Sequence, residues 1–423
     1  MFARINFSWA DKYIIDLTAR RDGSSRFGSA NHFHDFESAG AAWIFSDENW
    51  FKELFPLISF GKLKGTYGTT GNDQIGNYQY LSLYSPNTPQ VPYQNISSLQ
   101  PNGLANPYLQ WEETKKGEVG IDLGLFKDRI LLHADYAYNR SSNELLGSSL
   151  PIVTGFPAIN TNFPATVQNT AWEYTLTTNN IKEKDFDWTS NFNITLPDNK
   201  LVAFPNLANS IYSGQLTIGQ PLNAVRVFKY LDVNPQTGLY EFAGQDGPTS
   251  NPVFGQDNNT RISAYPKFYG GFNNVFRYKQ FSLSFLFQFT RQTGPNVLLS
   301  VIDPGTEGIN IPVYDLNAWS HPGQVATIQK YDANGTFGQS YGDALSSTLN
   351  YSDASYIRLK NASFSWQLPP GLVRSLHLQN ARLYTQGQNL LTFTHYKGLD
   401  PETLSSFALP PIRVITFGVA VGL

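Results

Sequence analysis

The stretch Phe281-Ser-Leu-Ser-Phe-Leu-Phe-Gln-Phe-Thr290 alternates bulky apolar residues with small or polar ones. Because successive side chains of a β-strand point to opposite faces, it would place phenylalanine and leucine on one face, and serine, glutamine and threonine on the other. The end of the chain repeats the pattern, with Ile415, Phe417, Val419 and Val421 set against threonine, glycine and alanine. The sequence therefore predicts strands that have one apolar and one polar face.

The composition agrees with a chain of many strands and turns. Aromatic residues make up 14% of the 423 residues, charged residues only 15%, and Gly and Pro number 34 and 25. The net charge of −3, without a basic run, argues against a nucleic acid partner. The sequence has no cysteine, and the usual motifs for hydrolysis, phosphate binding and dinucleotide binding are missing. We therefore expect no enzymatic activity, no catalytic or metal-binding residues and no cofactor.

Membrane and export signals are also informative. Uninterrupted apolar runs such as residues 39–45 are far shorter than the roughly 18 to 20 residues that a membrane-spanning helix needs. The N-terminus alternates apolar with polar residues and carries Arg4, Asp11 and Lys12, which is unlike the charged start and apolar core of a signal peptide. We expect neither a helical span nor a signal peptide within this sequence.

Strands with one apolar and one polar face occur in soluble β-sandwiches as well as in membrane barrels. The alternation of apolar and polar residues alone is therefore consistent with both folds. The connections favour the barrel, because short and long links alternate strictly between thirteen candidate strands, as periplasmic turns and extracellular loops do. The candidate strands are 1–9, 12–22, 34–46, 58–70, 110–125, 129–141, 170–181, 186–197, 266–278, 280–292, 353–367, 377–394 and 411–423. The sequence thus predicts an all-β, antiparallel transmembrane β-barrel with long extracellular loops and short periplasmic turns.

The strand count predicts only part of a barrel. Bacterial single-chain barrels close with an even number of strands, whereas thirteen is odd, and an open sheet edge is costly in lipid. We therefore expect further strands to precede Met1, and Met1 could be a true start or a truncation.

Several motifs resemble a known family, the SusC/RagA-like TonB-dependent transporters of Bacteroidetes outer membranes. The resemblance runs in order along nearly the whole chain. The motifs that carry it are Arg21-Asp-Gly-Ser-Ser-Arg-Phe-Gly28, Gly61-Lys-Leu-Lys-Gly-Thr-Tyr-Gly-Thr-Thr-Gly-Asn72, Leu109-Gln-Trp-Glu-Glu-Thr114, Tyr269-Gly-Gly-Phe-Asn-Asn274, Tyr356-Ile-Arg-Leu-Lys-Asn361, Gly387-Gln-Asn-Leu-Leu391 and Tyr396-Lys-Gly-Leu-Asp-Pro-Glu402.

This resemblance implies that residues 1–423 are the C-terminal part of a 22-stranded TonB-dependent receptor barrel domain, without the plug domain. It also implies import of oligosaccharides or peptides together with a SusD-like surface lipoprotein, energy supplied by TonB through the missing N-terminal part, and contact with outer-membrane lipid. Two alternatives remain, namely a passive porin-like outer-membrane protein and a secreted glycan-binding β-protein.

Candidate site residues are few. His32, His34 and Asp35 could form a metal cluster, and Glu112–Glu113 or Asp185 with Asp187 a carboxylate pair, but a polar rim or turn explains each better. Aromatic residues in the long loops could stack on a sugar or peptide, or could pack the loops together. These residues are Tyr78, Tyr80, Tyr84, Tyr93, Trp319, Tyr331 and Tyr341.

Two structural details are also predicted. Aromatic residues near strand ends should form interfacial girdles, and they are Trp43, Trp50, Trp366, Phe393 and Tyr396. The apolar face of the stretch 356–366 changes phase near Asn361, which predicts a β-bulge there.

Overall fold

The computed structural model describes residues 1–87, 98–298, 313, 317–405 and 408–422. Its main element is an antiparallel sheet of thirteen strands in which each strand pairs with its neighbours in chain order. The strands are β1 (Phe2–Trp9), β2 (Tyr13–Gly23), β3 (Phe33–Trp43), β4 (Ile58–Asn72), β5 (Glu112–Leu125), β6 (Ile130–Ser149), β7 (Ala158–Lys182), β8 (Phe186–Ala203), β9 (Phe268–Tyr278), β10 (Phe281–Arg291), β11 (Tyr356–Gln367), β12 (Asn380–Thr394) and β13 (Val414–Gly422).

All thirteen predicted strands are confirmed, but the limits predicted for β6 and β7 and the predicted end of β8 were wrong. β6 continues to Ser149 and β7 begins at Ala158, so most of residues 142–169, which lie between the two predicted strands, is strand. The extension of β6 lacks the regular apolar face of the other strands, so the two-residue alternation gave no signal for it. The extension of β7 does alternate, with Ile159, Phe163, Ala165 and Val167 on one face, and this signal was missed.

Several connections on the short side turn tightly, but residues 44–57 and 368–379 each hold a short helix. The predicted strict alternation of short and long links was therefore wrong, because the link 44–57 is longer than the link 24–32 on the other side.

Ala10, Asp11 and Lys12 link β1 to β2. The amide of Lys12 donates to the carbonyl of Trp9 at 3.1 Å, and Ala10 and Asp11 between them both have positive φ (52° and 55°), as a type I′ turn requires. Phe126, Lys127 and Asp128 between β5 and β6 also have φ values of 55° to 61°. None of these five residues with positive φ is glycine, so the chain accepts left-handed backbone conformations to keep these turns short.

The bulge predicted near Asn361 is confirmed. On β11, Leu359 pairs with Phe287 and Asn361 pairs with Leu286, so Lys360 is the extra residue. The register on the β12 side shifts between the same two residues of β11. The bulge moves the apolar side chains that follow it back onto the apolar face of the sheet.

The connections hold the remaining elements. The helices are α1 (Asn49–Leu54), α2 (Gly338–Leu345) and α3 (Pro370–Ser375), with 3-10 turns at Phe45–Asp47, Ile152–Thr154, Leu207–Asn209 and Thr348–Asn350. Short strands pair as Leu83–Asn87 with Ser98–Gly103, Ala224–Val227 with Thr260–Ser263, Tyr230–Val233 with Tyr240–Gly244 and Gly247–Thr249, and Thr293–Pro295 with Tyr351–Asp353. No helix within the described residues is long and apolar enough to cross a membrane.

The chain divides into two compact units, residues 1–177 with 197–222, and residues 178–196 with 223–423. In the first unit, one cluster packs Phe27 and Trp111 beside the loops, and another packs Leu201 and Phe204. The core of the second unit lies around Phe228 in its long connections. In each unit, these buried clusters involve the connections as well as the strands.

Candidate functional site on the polar face and in the long connections

The apolar face of the first unit is exposed. Ile5, Leu17, Ala39 and Tyr67 lie side by side across β1 to β4, and Ile5 and Tyr67 are 65% and 57% exposed. A soluble sandwich would bury such a face under a second sheet. The exposed apolar row is what a lipid-facing surface requires.

Aromatic and charged residues border this apolar face. At the end with the short connections, Tyr13 stacks on Trp9 and on Trp43, with ring centroids 5.5 Å and 6.5 Å apart. Towards the long connections, Arg21 approaches Asp35 at 3.7 Å on the same face. Outer-membrane barrels have an apolar band flanked by aromatic girdles, and the aromatic border of this face matches one such girdle.

The second unit has the same two-faced sheet. Phe281 stacks on Phe364 and on Trp366 at 6.0 Å, and Phe417 on β13 is 80% exposed. The girdle prediction was wrong for Tyr396. This residue is buried and donates a hydrogen bond to the carbonyl of Pro295, because the connection after β12 folds back over the strand ends.

Polar and charged side chains pair across the polar face of the first unit. Asp122 on β5 contacts His133 Nδ1 at 2.8 Å and Lys62 Nζ at 3.8 Å. Lys64 contacts Asp135 at 2.8 Å across Gly120, where a Cβ atom would lie 1.9 Å from the carboxylate. Charges of both signs thus line this face, which suits contact with water or polar ligands.

In the second unit, the polar face holds the connection that follows β12. Arg358 on β11 pairs with Asp400 and Glu402 and donates from Nε to Thr392 at 3.0 Å. Lys360, the bulged residue, donates to both oxygens of Glu402 at 2.9 Å. This connection is therefore fixed to the sheet by charge-assisted hydrogen bonds.

In the sequence, Arg358 lies in the motif Tyr356–Asn361, whereas Asp400 and Glu402 lie in the motif Tyr396–Glu402. Strand pairing and the fold of the connection bring those motifs together, and neither can be derived from spacing. The opposite charges in the two motifs were a signal that could have suggested their contact.

The candidate metal and carboxylate residues have other contacts. His34 Nε2 lies 3.5 Å from Glu113, and its ring packs on Phe36 with centroids 4.8 Å apart. Glu112 accepts from the amide of Leu145 at 3.4 Å. Among the described residues, no group of three or more His, Asp or Glu side chains could hold a metal ion.

Three of the predicted ligand-contact aromatics pack against loop cores. Tyr80 contacts the Phe27–Trp111 cluster. Tyr341 on α2 is buried in the Phe228 core, and Trp319 packs against the same core while donating to the carbonyl of Pro235 at 2.9 Å. On the same helix, burial raises the pKa of Asp343. These three aromatics hold the connections together.

The other aromatics are more accessible. Tyr78, Tyr84 and Tyr331 are 57%, 59% and 46% exposed, which leaves their rings open to a ligand. Tyr93 lies outside the described residues.

Comparison with known proteins shows the family of this chain. TonB-dependent receptor P3 of Formosa agariphila is 31% identical over 95% of this chain, and TonB-dependent receptor SusC of Bacteroides thetaiotaomicron is 28% identical over all of it. The structure of the RagAB peptide importer in its closed-closed state superimposes on 99% of the chain, with a TM-score of 0.87 and 26% identity. The chain belongs to the SusC/RagA-like TonB-dependent receptors.

This chain spans less than half the length of the curated relatives it matches, 42% of the Formosa protein and 43% of SusC. It also covers 47% of the RagAB importer chain, and no family model matches it.

Proposed function

We propose that this SusC/RagA-like chain supplies barrel strands to a TonB-dependent importer in the outer membrane of a Bacteroidetes-type bacterium. One observation carries the proposal, namely the superposition of 99% of the chain on the RagAB peptide importer. The exposed apolar face, bordered by aromatic and charged residues, supports contact with outer-membrane lipid. In such a protein the polar face would line the interior of the barrel.

The substrate we propose is a peptide or an oligosaccharide, delivered by a SusD-like surface lipoprotein at the long connections. RagAB is a peptide importer, and SusC is a TonB-dependent receptor. The match to SusC includes all of this chain and 43% of SusC. The exposed Tyr78, Tyr84 and Tyr331 supply flat aromatic surfaces of the kind that stack on sugars or peptide side chains. Transport would proceed without covalent chemistry, so this protein would not be an enzyme.

Uptake in the producing bacterium tests this proposal. Deleting the gene should abolish uptake of labelled peptides or oligosaccharides, and disrupting TonB should abolish it equally, because import depends on that energy source. A tagged chain should fractionate with the outer membrane and co-purify with a SusD-like lipoprotein. Uptake that persists without TonB would favour a passive porin-like protein. A cooperative melt of the chain in buffer without detergent would favour a secreted glycan-binding protein.

A further inference from the structure

Two arginines face each other on a short ribbon in the connection between β8 and β9. The ribbon pairs Ala224–Val227 with Thr260–Ser263, and its register sets Arg226 directly opposite Arg261. Directly opposite residues of an antiparallel pair point to the same side, with Cβ atoms about 5 Å apart. Like charges in this position repel each other and destabilise the ribbon unless something neutralises them.

The surroundings hold these side chains close together. Ala224 and Val227 are buried at 7% and 3% exposure, which anchors the strand that carries Arg226. Arg226 and Arg261 are themselves partly buried. The pKa of Arg261 is lowered, first by burial and then by the positive charge of Arg226.

Arg261 has an unused hydrogen-bond donor. Its Nη1 atom is buried and has no hydrogen-bond partner among the described residues. A buried donor on a charged group is costly without an acceptor, so native proteins nearly always provide one. The acceptor that best fits the Arg261 guanidinium is an oxyanion, because a planar fork donates N–H bonds to it and the neighbouring charge of Arg226 attracts it.

We propose that Arg226 and Arg261 form a binding site for an oxyanion group, a carboxylate or a sulfate, on the imported ligand. The site rests on the proposed import function and narrows its substrate class to anionic ligands. Arg261 binds the anion through its free Nη1, and Arg226 supplies the second positive charge. The bound anion removes the repulsion between the two arginines, so it also stabilises the ribbon.

The test uses the full transporter that contains this chain, purified in detergent, with inorganic sulfate and acetate as probes. Ionic strength is held constant with chloride, and the melting temperature Tm is followed as each probe is added. Arg261→Gln removes the charge and keeps a polar side chain. Arg374→Gln is the matched control, because it removes one exposed arginine from α3 in a short connection.

Wild type and Arg374→Gln should show the same rise in Tm as probe is added. Part of this rise should level off at high probe concentration, as binding at a single site does. Arg261→Gln should lose that component or need a probe concentration about tenfold higher or more, since a charge-assisted hydrogen bond is lost. Sulfate also stabilises proteins by exclusion from their surfaces, so the difference between variants is the readout. Saturation by sulfate alone assigns a sulfate group, whereas saturation by acetate alone assigns a carboxylate.

A second signature separates binding from a structural role. Without either probe, Arg261→Gln should melt at or above the wild-type temperature, because the repulsion with Arg226 is gone. A lower Tm of Arg261→Gln both with and without the probes would overturn the site. An equal probe-dependent shift in wild type and Arg261→Gln, or no shift in wild type, would also overturn it. Failure of the import proposal would appear elsewhere, as TonB-independent uptake with the probe-dependent shift intact.

Discussion

The guanidinium of Arg358 on β11 is buried against the carboxylate of Asp400, which lies 42 residues further along the chain. Their side chains are 2% and 7% exposed, so this ion pair is almost fully removed from water. Asp400 also accepts hydrogen bonds from the amides of Glu402 and Thr403, at 2.9 Å and 3.1 Å. One carboxylate therefore shapes the connection after β12 and fixes it to the sheet.

Removing the cation from this pair should release the connection. Arg358→Met leaves Asp400 buried without its counter-charge, and breaking a buried pair from one side costs about 3 kcal/mol. Hydrogen exchange at the amides of Glu402 and Thr403 should accelerate accordingly, while exchange in the centre of β11 changes little.

The control for this prediction is Arg291→Met. Arg291 pairs with Asp353 at 3.4 Å, but both side chains are about half exposed (53% and 50%), so its loss should cost less than about 1 kcal/mol. Adding Asp400→Asn to Arg358→Met should restore part of the protection, because the buried negative charge is then removed. Equal effects of the two arginine substitutions would contradict a special role for the buried pair.

Gly238 and Gly335 offer a matched pair of substitutions in the loops of the second unit. Both have left-handed φ values, 72° and 70°, so an alanine is strained at either position. Only at Gly238 would a Cβ meet a neighbour, Trp319 Cε3 at 2.3 Å, whereas nothing lies within 4 Å at Gly335. Gly238→Ala should therefore cost about 1 to 3 kcal/mol more than Gly335→Ala.

Hydrogen exchange at the Lys330 amide provides the measurement, since this amide donates to the carbonyl of Gly238 at 2.8 Å. Exchange there should rise more in Gly238→Ala than in Gly335→Ala. If both variants raise it equally, backbone strain alone explains the result and Trp319 does not fix this part of the loop.

The strands could be predicted from the sequence because the sheet separates an apolar from a polar environment along their length. In the stretch that begins at Phe281, apolar residues for one face alternate with small or polar residues for the other. Where the strands extend beyond it, as β6 does after Arg140, both faces are polar and the alternation disappears. The sequence therefore identified every strand of the sheet and missed the ends of the longest ones.

Contacts within the candidate site were harder to predict. The pairing of Arg358 with Asp400 depends on how the connection after β12 folds back over the sheet. The alternation of apolar and polar residues carries no information about the path of that connection. The same holds for Tyr341, which looked like the other loop aromatics but is 8% exposed. Tertiary structure decides which loop aromatics are buried and which are exposed. The sequence could therefore identify only the whole set of candidate aromatics.

The exposed and buried tyrosines should respond differently to truncation. Tyr341→Ala removes a ring from the Phe228 core and should destabilise the surrounding loops by about 3 kcal/mol. Tyr84→Ala and Tyr331→Ala should change stability by less than about 0.5 kcal/mol. If they contact ligand, each should weaken its binding about fivefold or more.

Calorimetric binding to the full transporter, together with thermal melts, separates these outcomes. Unchanged affinity in both exposed variants would remove Tyr84 and Tyr331 from the ligand site. A Tyr341→Ala variant that melts like wild type would contradict the packing role of that ring.

The extended end of β6 should be sensitive to pH. Glu144 lies beyond Arg140, outside the roughly 9 to 11 residues that a strand needs to cross a bilayer. Burial, and then the negative charge of Glu112, raises the pKa of Glu144 to about 7. A carboxyl whose pKa is raised by folding binds more protons in the folded state than in the unfolded state. Its contribution to folding stability therefore falls as the pH rises above its pKa in the unfolded state, about 4.3.

The pairing of this extension should therefore be most stable at pH 4 and weaken between pH 4 and 7, with little further change above pH 8. Glu144→Gln cannot ionise and should keep the pairing equally stable throughout that range. Hydrogen exchange at the Leu145 amide measures the difference, and comparing the two proteins at each pH cancels the intrinsic pH dependence of exchange. Parallel profiles for wild type and Glu144→Gln would show that this carboxyl does not control the opening of the extension.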